Sequence, residues 1–237
     1  MNPANLFVFS LCLALLIVGT SSQKTNKWSL PPVGESVKVQ VQVYFDSSVS
    51  TNDDSKEEQE NKNDPTDTNF TTLFELVQKH FHNELVMTTF EVKSVEMNDK
   101  IGVTYGSRSL NASATLDNLK QYAAQTSPTN DTIAYFFTQK PLLQQTSQGD
   151  QVDVQYDDLS TFHTFCSRQT SAAVVTYYPE GDYRYYSTAE ATARVFGLRK
   201  YRNFNWNDFK ILLMVFSKCP KSDCSRKCLL GNDQTTP

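Results

Sequence analysis

Val37, Val39, Val41 and Val43 alternate with Lys38, Gln40 and Gln42. A period of two over β-branched residues predicts a half-buried strand. The stretch 46–67 that follows is acidic and rich in Asn, Asp, Ser and Thr; it lacks the apolar positions needed to bury itself and reads as a solvated loop, with a cation-binding tract as the alternative. Residues 72–85 carry Leu73, Phe74, Leu76, Val77, Phe81 and Leu85 at spacings of three and four, one apolar face of a helix. A strand is predicted over 87–95 and a short helix over 115–124, with Leu116, Leu119, Tyr122 and Ala123. The apolar run 132–138 is short enough for a buried strand. Residues 141–158 are Gln-rich and read as a loop with weak strand character, and 171–178 as another buried strand. A helix follows over 187–198, with Ser187 or Thr188 as N-cap, Glu190 in its first turn and Gly197 as its stop. An apolar helix over 207–216 closes the series. Strands alternating with helices predict an α/β layer fold with a mostly parallel sheet of four to five strands and packed helices.

The amino terminus changes this picture. Residues 6–18 are almost continuously apolar, and Gly19, Thr20, Ser21 and Ser22 follow. The run is too short for the roughly 20 residues that span a bilayer, and Thr20 and Ser22 suit the −3 and −1 positions of a signal-peptide cleavage site. The reading is a signal peptide over 1–22 and one mature domain over 23–237, with an uncleaved anchor as the alternative. No other run is apolar enough to span, so no membrane association is expected after cleavage. The net charge of −4 and the absence of a long basic run argue against nucleic acid as a partner.

Five cysteines are present, and Cys12 leaves with the signal peptide. An even set, Cys166, Cys219, Cys224 and Cys228, remains, which in an exported chain implies bridges. The spacing of Cys219, Cys224 and Cys228 also permits reading them as a metal knuckle, disfavoured by the compartment and the lack of a nearby His. Three N-glycosylation sequons begin at Asn69, Asn111 and Asn130, which places those segments at the surface if occupied.

Taken in order, several segments resemble the catalytic domain of reprolysin-type (adamalysin-like) metzincin metalloproteases, especially the secreted salivary forms of ticks. They are the opening strand 37–45 with Asp46, the helix 74–85 with Thr89-Phe90-Glu91-Val92, the run Asp131-Thr132-Ile133-Ala134-Tyr135-Phe136-Phe137-Thr138, Cys166 before Ser171-Ala172-Ala173-Val174-Val175, and Phe216-Ser217-Lys218-Cys219 with Cys228-Leu229-Leu230. The resemblance implies a metzincin-like fold with a disulfide-closed carboxy-terminal part. It also implies a bridge from Cys166 to Cys228, which leaves Cys219 to Cys224. Met214 stands where the family's Met-turn methionine is expected, or is a core residue.

In that family the helix after the Cys-plus-strand segment carries H-E-x-x-H-x-x-G-x-x-H, two His on one helix face and a third past a glycine turn gripping Zn²⁺, with the Glu polarising water. With the register set on Gly197, the ligand positions hold Glu190, Arg194 and Lys200, and the general-base position holds Ala191. Arg and Lys are cations that do not ligate zinc, and no His follows His163. No metal or other cofactor is therefore expected. Glu190, Arg194 and Lys200 form either a salt-bridged cluster or an ordinary solvated helix face. His80 and His82 lie two apart on a helix and point to different sides; His163 lacks the companions of a nucleophile pair.

The expected function is that of a secreted, catalytically inactive metalloprotease-like domain that binds a protein. By resemblance it is a salivary effector directed at host haemostasis or immunity, with an extracellular host protein as partner. The alternative is a secreted peptidase with residual or unrecognised activity. The tyrosines at 177, 178, 183, 185 and 186 lie beside the expected cleft, and Tyr183 and Tyr185 are the candidate contact residues; packing into the core is the alternative for part of this cluster. The sequence does not fix the oligomeric state.

Overall fold

The valine run forms strand β1, Lys38–Phe45, with Val39, Val41 and Val43 fully buried. This is a computed structural model, and it describes residues 30–49, 65–126, 129–144, 154–179, 181 and 184–220. The signal-peptide reading, Tyr183, Cys224, Cys228 and most of the acidic stretch fall outside those residues. At the near end of that stretch residues 46–49 form a turn, in keeping with a loop; at the far end a helix takes the loop's place. Asp46 is buried at the end of β1, and helix α1, Pro65–Asn83, starts seven residues earlier than the periodicity indicates.

The remaining main elements follow the predicted order. They are β2 (Thr89–Met97), α2 (Ala112–Thr126), β5 (Thr132–Thr138), β9 (Ser171–Thr176), α3 (Tyr186–Val195) and α4 (Trp206–Phe216). Four short strands, β3 (Thr104–Tyr105), β4 (Ser109–Asn111), β6 (Leu142–Gln144) and β7 (Val154–Tyr156), make a small second sheet. Strands β6 and β7 lie within 141–158, the stretch read as a loop with weak strand character, and strand β8, Asp158–Ser160, begins at its last residue.

The main sheet has five strands in the order β2-β1-β5-β9-β8. The pairs β1/β2, β1/β5 and β5/β9 are parallel, and β8 alone runs antiparallel, at one edge. This is the expected mixed α/β class with a mostly parallel sheet. Every residue of β5 is buried, as its continuous apolar run requires when both faces of a parallel sheet are covered. On one face Tyr44, Ala134, Phe136, Ala172 and Val174 pack with Leu119 and Ala123 of α2. On the other, Phe70 and Phe74 of α1 meet Phe137 and Tyr135, each pair with ring centroids 4.9 Å apart. Each such ring contributes roughly 1.5–3 kcal/mol on burial. Among the described residues no helix is long and apolar enough to cross a membrane.

The expected bridges are not the ones formed. Cys166 is bonded to Cys219, not to Cys228, so the Cys219–Cys224 pairing is excluded as well. Aromatic packing sets this choice. Phe216 at the end of α4 lies 6.3 Å from Phe165 and 5.3 Å from Phe196, which brings Cys219 within a Cα separation of 4.9 Å from Cys166, inside the window a disulfide requires.

Candidate functional site

Helix α3 carries Glu190 and Arg194, two of the three positions at which the resemblance puts zinc ligands, and Lys200 lies beyond its end. Its start differs slightly from expectation. Tyr185 stands at the N-cap without a side-chain cap, and Ser187 and Thr188 lie inside the first turn. Its end matches the expected stop. Gly197 N–H donates to the Arg194 carbonyl and Leu198 N–H to the Ala193 carbonyl, both at 2.8 Å. That pair of bonds is a Schellman motif, with Gly197 at φ +92° in the left-handed region.

Glu190 and Arg194 are four residues apart and share one face of α3. Arg194 Nη2 lies 2.5 Å from Glu190 Oε1, and Arg194 Nη1 lies 2.6 Å from Asp158 Oδ2. Asp158 is buried at the start of edge strand β8, whereas Arg194 and Glu190 are about one-third exposed (35% each). One guanidinium thus joins the helix to the sheet edge through two carboxylates, the fork geometry that arginine serves well. Burial pushes the Asp158 carboxyl up to about 7, against the opposing pull of Arg194; Glu190 and Asp157 add to the rise. Asp157 in turn accepts from Tyr178 Oη at 3.0 Å.

The other positions do not converge there. Lys200 Nζ donates to the Asn203 carbonyl at 2.7 Å and pairs with Asp208 at 3.1 Å. Asp208 belongs to the capping box of α4, where Asn205 accepts from the Asn207 and Asp208 N–H groups. The cluster therefore contains Glu190 and Arg194 but takes Asp158 in place of Lys200. Sequence reasoning missed Asp158 because its partner is 36 residues away and no helical spacing links the two. Ala191 is fully buried, its methyl group part of the core. Beneath it Tyr135 Oη donates to Thr192 Oγ1 at 2.8 Å, and Thr192 donates onward to the Thr188 carbonyl at 2.6 Å.

Among the described residues no group of three or more His, Cys, Asp and Glu side chains is arranged to hold a metal ion. The donor set at the zinc positions does not fit the ion that the resemblance implies, because a guanidinium stands between the two carboxylates that could otherwise serve. His80 and His82 are turned apart. His80 Nε2 bonds the Tyr201 carbonyl at 2.7 Å and His82 Nε2 the Thr88 carbonyl at 2.9 Å. His163 lies over Gly197, where a Cβ would approach its Nδ1 to 2.2 Å.

No family model matches the sequence, and no curated protein matches it. Solved structures do. Metalloproteinase-II from Bacteroides fragilis aligns at 9% identity and TM-score 0.43, over 78% of this chain and 57% of that one. Archaemetzincin from Methanopyrus kandleri aligns at 13% identity and TM-score 0.40, over 78% and 89% respectively. The chain thus spans little more than half of the Bacteroides protein.

The tyrosine cluster divides. Tyr185 packs edge-on against Tyr186 with centroids 4.8 Å apart, and lies 5.6 Å from His80. Tyr201 joins them from the loop after α3, 5.8 Å from Tyr186. His80, Tyr185, Tyr186 and Tyr201 form a half-buried aromatic group at the start of α3. Tyr177 instead packs on Phe70 at 5.3 Å, and Tyr178 is exposed. Met214 is half exposed on α4 and is not a core residue. The sequon residues differ too. Asn69 and Asn130 are exposed, while Asn111 caps α2 by accepting from Ala114 N–H at 2.9 Å.

Proposed function

We propose that this chain is an exported domain of reprolysin-like descent that has given up zinc catalysis and acts by binding another protein outside the cell. The observation that carries the reading is the Arg194 guanidinium held between Asp158 and Glu190, at the position where the resemblance requires a zinc-binding imidazole. A zinc-bound water supplies both nucleophile and charge stabilisation in that chemistry, and a fixed cation in the same place opposes the ion electrostatically. The salivary, host-directed role and a host protein as partner follow the resemblance. The half-buried group of Tyr185, Tyr186, Tyr201 and His80 is the contact surface, since tyrosine combines apolar area with a polar tip at interfaces.

The test is elemental analysis of the mature protein after dialysis against zinc, with a peptide-cleavage assay run with and without a chelator. No stoichiometric zinc and no chelator-sensitive cleavage are expected. Bound zinc with cleavage that a chelator abolishes would overturn the proposal.

A further inference from the structure

We infer that the cavity beside Asn130 is the seat of an N-linked glycan carried by that residue, so that the first sugars are part of the folded structure rather than a free surface branch. The inference rests on the export reading, because glycans of this kind are added in the secretory route.

Asn130 opens the sequon Asn130-Asp131-Thr132 and is exposed in the turn before β5. It borders a cavity of about 550 Å³ at the start of β5 and β9, within the roughly 300–1,000 Å³ of small-ligand sites. Ala123 and Ala124 of α2 give the cavity an apolar shelf, which suits the C–H face of a pyranose and an N-acetyl methyl. Arg168, Gln169 and Thr170 also line it and supply donors and acceptors for hydroxyls. Among the described residues no carboxylate and no aromatic ring lines it. Arg168 is exposed and has no carboxylate partner among the described residues, which leaves its fork available to sugar oxygens.

The attachment point is also held in place. The Asn130 carbonyl accepts from Cys166 N–H at 2.8 Å, and Cys166 is fixed in turn by its bridge to Cys219. Asn130 and the loop that supplies Arg168, Gln169 and Thr170 therefore keep one relative position. Asp131 and Thr132 are themselves buried, Asp131 accepting from Gln40 Nε2 at 3.2 Å. The sequon is accessible to the transferase only before folding, and the chain then folds with its sugar at the mouth of the cavity.

The experiment uses the full chain expressed in secreting eukaryotic cells. Site-resolved glycopeptide mass spectrometry reads occupancy. Digestion with an endoglycosidase, before and after unfolding, reads protection. Asn130 is expected to be occupied, and its glycan to be released about tenfold more slowly from the native than from the unfolded protein, the effect of one or two net hydrogen bonds. The glycan at exposed Asn69 serves as the unprotected control. Arg168→Ala is expected to leave occupancy unchanged and to restore fast native release at Asn130, lowering the thermal midpoint of the glycosylated chain by no more than the few degrees that the lost sugar contacts contribute. An Asn130 without sugar in a secreted chain glycosylated at Asn69, or an Asn130 glycan released equally fast in both states, overturns this inference alone. A chain retained in the cell with no sugar at any sequon overturns the export reading with it.

Discussion

A methyl group at position 197 has nowhere to go. It would stand 2.2 Å from His163 Nδ1, on a residue whose φ of +92° already excludes most side chains. Gly197→Ala is therefore expected to lower the unfolding free energy by about 1–3 kcal/mol, the usual penalty for a side chain forced into that region, with the collision adding to it. In urea unfolding, His163→Ala placed on top should recover the collision but not the backbone penalty, so the double variant stays less stable than His163→Ala alone. The helix-stopping role of Gly197 was legible in the sequence, because a glycine at the end of an apolar period has one common use. The overlying His163 was not, since nothing local links positions 163 and 197.

At the scale of elements, α3 and β8 are joined by the Arg194 bridge, and that joint depends on pH. The Asp158 carboxyl titrates near 7 in the folded chain against an ordinary value of 3.8. A group with a raised folded value takes up a proton on folding between those two limits, so its contribution is complete below about pH 4 and is lost as pH rises through 7. Asp158→Asn cannot take up that proton. Urea midpoints from pH 4 to 8 should show wild-type stability falling relative to Asp158→Asn as pH rises, with most of the change complete by pH 8. Parallel curves for the two proteins would place the titration elsewhere.

The elements differ in how far the sequence revealed them. Strand β5 has the predicted boundaries, because the apolar run between Thr132 and Thr138 has the length of a buried strand and is too short for a helix. Strands β6 and β7 showed only as weak strand character within 141–158, and β3, β4 and β8 were not resolved as strands, because each is two or three residues long, too few for any period to show. Helix α1 begins at Pro65, inside the acidic stretch. Its first turn is polar, and proline at the start of a helix suits the fixed φ without advertising an apolar face.

Over the whole molecule, the Cys166–Cys219 bridge spans 53 residues and ties the end of α4 to the loop before β9. In the chain-entropy account a closure of that length stabilises by about 4 kcal/mol. Replacing both cysteines by serine should lower the unfolding free energy by about that amount, whereas replacing Cys224 and Cys228 should leave this bridge intact by peptide mapping. A full-size loss from the second pair would assign the main staple to them. The number of cysteines was evident in the sequence, but their pairing depends on Phe216 meeting Phe165 and Phe196, a contact between distant segments that no spacing encodes.

The first strand of the domain lies inside the sheet, between β2 and β5. Gln40 near its start and Asp46 just past its end are tied to Asp131 and Thr138, 91 and 92 residues further along. During translation at about 5–20 residues per second, β1 leaves the ribosome roughly 5–20 s before its second neighbour exists. For that interval Val41 and Val43 have one flank bare, and the nascent chain depends on whatever escorts it until β5 arrives.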